Sequence, residues 1–228
     1  MLGLSNCAAV AHDQLGSDVM LHSGFVDVAQ LIPSLVVDLR YFGNDNFVGA
    51  RVDGYEADRV YLAVEAAAAL KRVQLGLSEY GLGLKVFDAY RPQQAVDHFV
   101  RWALDLDDTK MKAKYYPNVD KSDLFSEGYI AARSGHSRGS TVDVSLVSLS
   151  DAATSSNVEE LNMGSGWDFF DTQSWPSDLT VTAAQRALRL LLRRVMMAEG
   201  FKPLAQEWWH FTLDNEAYPQ SYFDFPIR

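Results

Sequence analysis

The chain has a single cysteine, Cys7, which excludes an intramolecular disulfide and any CxxC zinc or redox motif and is compatible with a reducing compartment. It has no hydrophobic run approaching the roughly 20 apolar residues that a membrane-spanning helix needs. Positive charge is scarce. Against 30 Asp and Glu stand 20 Lys and Arg, for a formal net charge of -10, and the basic residues form no long run. The electrostatic footprint of a nucleic-acid or anionic-membrane binder is therefore missing, and no nucleic-acid partner is expected. The opening stretch, Met1 to Cys7, lacks a basic leader and an adequate apolar segment. A cytoplasmic location is expected, with the periplasm as the alternative if a signal is missing from the chain. Leu4 to Cys7 has the outline of a lipoprotein box, but too little hydrophobic chain precedes it, and residues 1–25 are expected to form an N-terminal tail or extension. Repeats, low-complexity tracts and linker-like Gly/Pro clusters are also absent, which leaves one domain over residues 1–228.

What is there is an ordinary globular composition, 48% hydrophobic and 22% charged over 228 residues. A domain of that length buries a large core unaided, so a bound metal would serve chemistry rather than folding. From Glu56 to Tyr80, Val60, Ala63, Val64, Ala67, Leu70 and Val73 recur at helical spacing, with Gly81 and Gly83 at the stop. Leu84 to Phe87 reads as a strand. Pro92 opens the next helix, which carries Ala95, Phe99, Trp102 and Ala103, so Asp88 to Arg91 falls at a strand-to-helix turn. Thr182 and Gln185 have capping-box spacing at the head of a helix with Ala184, Ala187, Leu188, Leu191 and Val195 as its apolar stripe. Thr141 to Leu146 alternates like a strand, and Trp208 to Leu213 is β-prone. Long helices and short strands without βαβ alternation predict an α+β fold.

None of the five histidines, at 12, 22, 98, 136 and 210, lies in an HExxH helix, so the commonest zinc-protease signature is missing. A different constellation is present. His136 sits in the glycine-bracketed turn Ser134-Gly135-His136-Ser137-Arg138-Gly139, which can fold it back over the strand that follows. Asp143, between Val142 and Val144, lies on the face of that strand opposite those two apolar residues. Glu207 and His210 are three apart, on opposite faces of a regular strand, so Glu207 must precede the strand to stand beside His210. Two histidines and one carboxylate leave a fourth position open, the mark of catalytic zinc.

With Arg91 in DAYRPQ, the segments DLRYFGNDNFVGARVDGY, SGHSRGSTVD, MGSGWDFFD and EWWH, in that order from about Asp38 to Leu213, resemble the D-alanyl-D-alanine dipeptidases. These are relatives of the D,D-carboxypeptidases and of hedgehog zinc domains. The resemblance implies one zinc ion per chain bound by His136, Asp143 and His210, on a small antiparallel sheet flanked by helices. It also implies Glu207 as general base, Arg91 as oxyanion partner and a small dipeptide substrate, and it allows a homodimer. Asp88 is expected to hold the Arg91 guanidinium and Tyr41 to border the pocket, with Ser134 and Asp168 beside the substrate and Asp171 as a second candidate for its amine. His12, His22 and His98 read as non-ligands. The sequence departs from the family pattern at Gly135, where serine is usual, and at Thr141, where a small apolar residue is usual.

Three rivals remain. Gly135 to Gly139 matches GxSxG, the nucleophile elbow of serine hydrolases, but that elbow needs a helix after it and here a strand follows. A non-catalytic zinc-binding module would need neither Glu207 nor Arg91. A zinc D,D-carboxypeptidase acting on longer peptides is the nearest competitor.

Overall fold

The computed structural model describes residues 21–149 and 158–228. Cys7, His12, the Leu4 to Cys7 box and most of the expected N-terminal extension lie outside the described residues; of the rest of that extension, Leu21 packs on the core and Phe25 opens the first strand. The elements run β1 (Phe25–Asp27), α1 (Val28–Leu31), β2 (Val36–Val37), β3 (Tyr61–Ala63), α2 (Val64–Ser78), β4 (Leu82–Asp88), α3 (Gln93–Leu104), α4 (Lys112–Tyr115), β5 (Thr141–Ser148), α5 (Ala183–Ala198), β6 (Phe201–Pro203) and β7 (His210–Leu213).

The α+β expectation holds. The main sheet has the order β2-β4-β5-β7-β6, and β1 pairs with β3 in a separate ribbon. Pairing is antiparallel from β4 to β6, as expected for the sheet that carries the site, while β2 adds a parallel edge to β4. Val142, Val144 and Leu146 of β5 point one way into an aliphatic core, and α2 and α5 pack against the sheet and each other. On the other side, Tyr41, Phe47, Phe99, Trp102, Trp167 and Phe170 form a chain of ring contacts in which α3 supplies Phe99 and Trp102.

Two element starts and one helix face differ from the sequence reading. The helix expected from Glu56 begins at Val64, because Tyr61 to Ala63 are buried as β3, paired with β1. The strand expected from Trp208 begins at His210, and both tryptophans are buried in the turn before it. Thr182 does cap α5, with the full capping box. The buried face of that helix, however, is Leu192 and Met196 flanked by Leu188 and Val195, while Ala184, Ala187 and Leu191 face solvent. Arg189 sets that rotation, because its buried guanidinium donates to the carbonyls of Met163, Gln173 and Trp175.

Candidate metal centre and active site

Register builds the site. Antiparallel pairing sets His210 of β7 directly against Asp143 of β5, and Asp143 in turn against Asp88 of β4 at a β-bulge. Three chemistry-bearing residues thus lie in one row across the sheet. His136 reaches that row from a 3-10 turn, Gly135–Arg138, which Ser134 caps by accepting from the His136 backbone N–H and which ends at Gly139 with φ +78. Only glycine fits there, since a Cβ would meet the Phe25 ring at 2.3 Å.

The donor atoms converge. His136 Nε2 lies 3.3 Å from Asp143 Oδ1 and 3.3 Å from His210 Nδ1, and His210 Nδ1 lies 3.1 Å from Asp143 Oδ1. Asp143 Oδ1 is buried with no hydrogen-bond partner, whereas its Oδ2 accepts from Trp167 Nε1 at 3.1 Å. Among the described residues this is the cluster of histidine and carboxylate side chains able to share a metal ion. His136 Nδ1 donates to the carbonyl of Ala89 at 2.7 Å, which turns Nε2 towards the cluster. Glu207, in the turn before β7, places Oε2 3.3 Å from His210 Nδ1, so the strand entrance does bring it to the same side.

Arg91 leaves the turn after β4 and is held by Asp88, with Nε at 2.9 Å and Nη2 at 2.8 Å from Oδ2. Its Nη1 points to Ser134 Oγ at 3.5 Å, and its guanidinium lies 5.0 Å from the Tyr41 ring centre. Tyr41 donates to Asp168 at 2.5 Å. Asp168 is buried and adopts φ +55, a costly conformation for a non-glycine residue that points to a constrained site. A cavity of about 210 Å³ contains Tyr41, Arg91, Ser134, His136, Asp143, Asp168, Glu207 and His210 in its wall. Asp88 backs Arg91 from outside that wall. Asp171 is occupied elsewhere, accepting from the Gln173 N–H and from Asn118.

Electrostatics separate the carboxyls. Burial and the charge of Asp143 push Asp168 well above the usual carboxylate range, and burial raises Asp88 despite Arg91 beside it. At Asp143 burial is outweighed by His136 and His210, which hold it well below that range. At His210 burial is likewise outweighed, by the carboxylates of Asp143 and Glu207 at 3.1 and 3.3 Å from Nδ1, and the imidazole is pushed up to about 10. Asp143 thus stays ionised among the three donors, as a metal ligand must be.

Two contributors were not singled out from sequence. Tyr55 donates to Asp88 at 2.6 Å and Trp167 holds Asp143, although both stand inside segments quoted for the resemblance. The two departures from the family pattern adjoin each other, because a Cβ on Gly135 would lie 2.8 Å from Thr141 Oγ1. The serine-elbow context is absent: β5 follows the turn, and Ser137 Oγ is buried without a hydrogen-bond partner. His98 bonds the Asp53 backbone N–H, and His22 stacks on Phe225, both away from the cluster.

The family model for D-ala-D-ala dipeptidases matches residues 21–228. A D-alanyl-D-alanine dipeptidase of Streptomyces coelicolor is 44% identical over 203 residues, covering 89% of this chain and 98% of the relative. One from Enterococcus faecalis is 38% identical, covering 91% and 100%, and one from Escherichia coli 32%, covering 85% and 87%. The chain belongs to the D-ala-D-ala dipeptidase family and is a peptidase.

Proposed function

We propose that the protein is a zinc-dependent dipeptidase that hydrolyses D-Ala-D-Ala to two D-alanines. The observation that carries this reading is the triangle of donor atoms, with edges of 3.1 to 3.3 Å. Zinc bonds of about 2.0–2.1 Å meeting at the tetrahedral angle require donors about 3.3 Å apart. The unpartnered Asp143 Oδ1 supplies the anionic ligand, and His136 and His210 the two nitrogens. Bound there, zinc supplies Lewis acidity and a water acidic enough to lose its proton near neutral pH.

The chain's own residues do the rest. Glu207 takes the proton of the attacking water and returns it to the leaving amine, within reach because it stands beside His210. Arg91, immobilised by Asp88, donates from Nη1 to the oxygen of the scissile carbonyl as charge develops on it. Asp168 accepts the substrate ammonium, whose arrival stabilises the carboxylate that burial disfavours. Pockets for drug-sized ligands run to roughly 300–1,000 Å³. A cavity of about 210 Å³ is suited to a dipeptide instead.

The test is hydrolysis of D-Ala-D-Ala, L-Ala-L-Ala and N-acetyl-D-Ala-D-Ala, with and without a chelator. Turnover of free D-Ala-D-Ala, abolished by the chelator and restored by zinc, is expected. Cleavage of the acetylated substrate alone would make the protein a D,D-carboxypeptidase.

A further inference from the structure

A dipeptide is a zwitterion, and the cavity must meet both of its ends, because a buried unpaired charge is costly. Two arginines stand in the cavity wall, Arg91 and Arg133. Arg91 is committed to Asp88 through two of its nitrogens. Arg133 makes no ion pair or hydrogen bond with a carboxylate among the described residues; its guanidinium lies 4.9 Å over the Tyr222 ring. That ring is steadied by Arg138, whose guanidinium lies 5.6 Å from its centre, donates to its hydroxyl at 3.4 Å and is itself tied to Glu216 at 2.7 and 2.8 Å. A guanidinium held over a ring by cation–π attraction, with no carboxylate partner of its own, keeps N–H donors that can receive a carboxylate in a fork.

We infer that Arg133 recognises the free C-terminal carboxylate of the substrate and sets its orientation; the inference rests on the dipeptidase reading. The two charged anchors lie at different depths, Asp168 buried and Arg133 exposed. The ammonium therefore goes to the floor and the carboxylate to the rim, with the scissile carbonyl between them near Arg91 and the donor triangle. Arg133 is also joined through Ser134, the cap of the ligand-bearing turn, to His136, so the carboxylate anchor and a metal ligand share one short piece of chain. A substrate extended at its amino end loses the Asp168 contact. One whose carboxylate is masked loses the fork.

The experiment pairs two substrates, D-Ala-D-Ala and its C-terminal amide, with the zinc-loaded wild type, R133Q and R133K. For R133Q, kcat/KM on the acid should fall about ten- to a hundred-fold, mainly through KM, as expected for loss of a charge-assisted pair. The amide, already poor for the wild type, should be unchanged, so that the preference for the acid collapses, and R133K should keep part of it. Calorimetry on chelator-treated protein gives a readout without turnover, in which R133Q should weaken D-Ala-D-Ala binding by a similar factor. If R133Q slows both substrates equally, or leaves the preference intact, Arg133 is not the carboxylate anchor. If the wild type cleaves neither substrate, the dipeptidase reading itself falls and takes this inference with it.

Discussion

Along β5 the side chains alternate between two environments that handle burial in opposite ways. Val142, Val144 and Leu146 are buried in aliphatic packing with no polar group to satisfy, while their neighbours Thr141, Asp143 and Ser145 are equally buried and polar. Thr141 shares a hydrogen bond with Thr212 at 2.8 Å, and Asp143 turns Oδ2 to Trp167 and Oδ1 to the two histidines. One strand thus supplies stability through one face and chemistry through the other. An aliphatic side chain would fill the space of the Asp143 carboxylate at lower cost, so the difference fits the proposed cation at that face.

Breaking the polar face should have the largest effect. Asp143→Ala removes the anionic ligand, and the variant should neither retain zinc nor turn over D-Ala-D-Ala above background, as read by metal analysis and assay. Glu207→Gln is milder: zinc binding should persist while kcat falls by about two to four orders of magnitude, the usual scale for an acid–base group. Full activity in that variant would remove Glu207 from the mechanism. The aliphatic face should respond in the opposite sense. Leu146→Ala should cost about 2–5 kcal/mol in denaturant unfolding. The kcat of its folded fraction should stay at the wild-type value; a hundredfold loss of kcat would mean that the two faces are coupled.

The smallest effect sharpens the comparison through pH, with the metal removed by a chelator. His210 is pushed up to about 10, so its contribution to stability is fully present below its unfolded value of about 6.5 and is lost as pH rises through about 10. Asp143 is depressed, so its contribution is present above its unfolded value of about 3.9 and is lost as pH falls through the lower folded value. The melting temperature of the chelated protein should therefore decline from neutral to alkaline pH, and His210→Gln should flatten that decline. A wild-type protein indifferent to pH from 7 to 10 would contradict the pairing.

The α+β class and the local segments that carry the candidate site were legible in the sequence, and the pairing between those segments was not. His136, Asp143 and His210 each stand in a short segment whose turn or alternation can be read locally, and the three-residue spacing of Glu207 and His210 already required the glutamate to precede the strand. The row of Asp88, Asp143 and His210 was not legible, because it depends on the register of strands far apart in sequence and on a bulge. Ala63 fits a helical stripe as well as a buried ribbon, and pairing of β3 with β1 decided between them. In α5 the apolar residues run almost all round the helix, so the turn into the core was settled by three carbonyls waiting for Arg189. Tyr55 and Trp167 escaped notice because an aromatic side chain that holds a carboxylate reads like any other core residue.

The most direct test of the central claim is crystallography of zinc-loaded protein with anomalous scattering measured on both sides of the zinc edge. One peak per chain is predicted, within about 2.0–2.2 Å of His136 Nε2, Asp143 Oδ1 and His210 Nδ1. A peak held by other residues, or none at all in a protein that cleaves D-Ala-D-Ala, would contradict it.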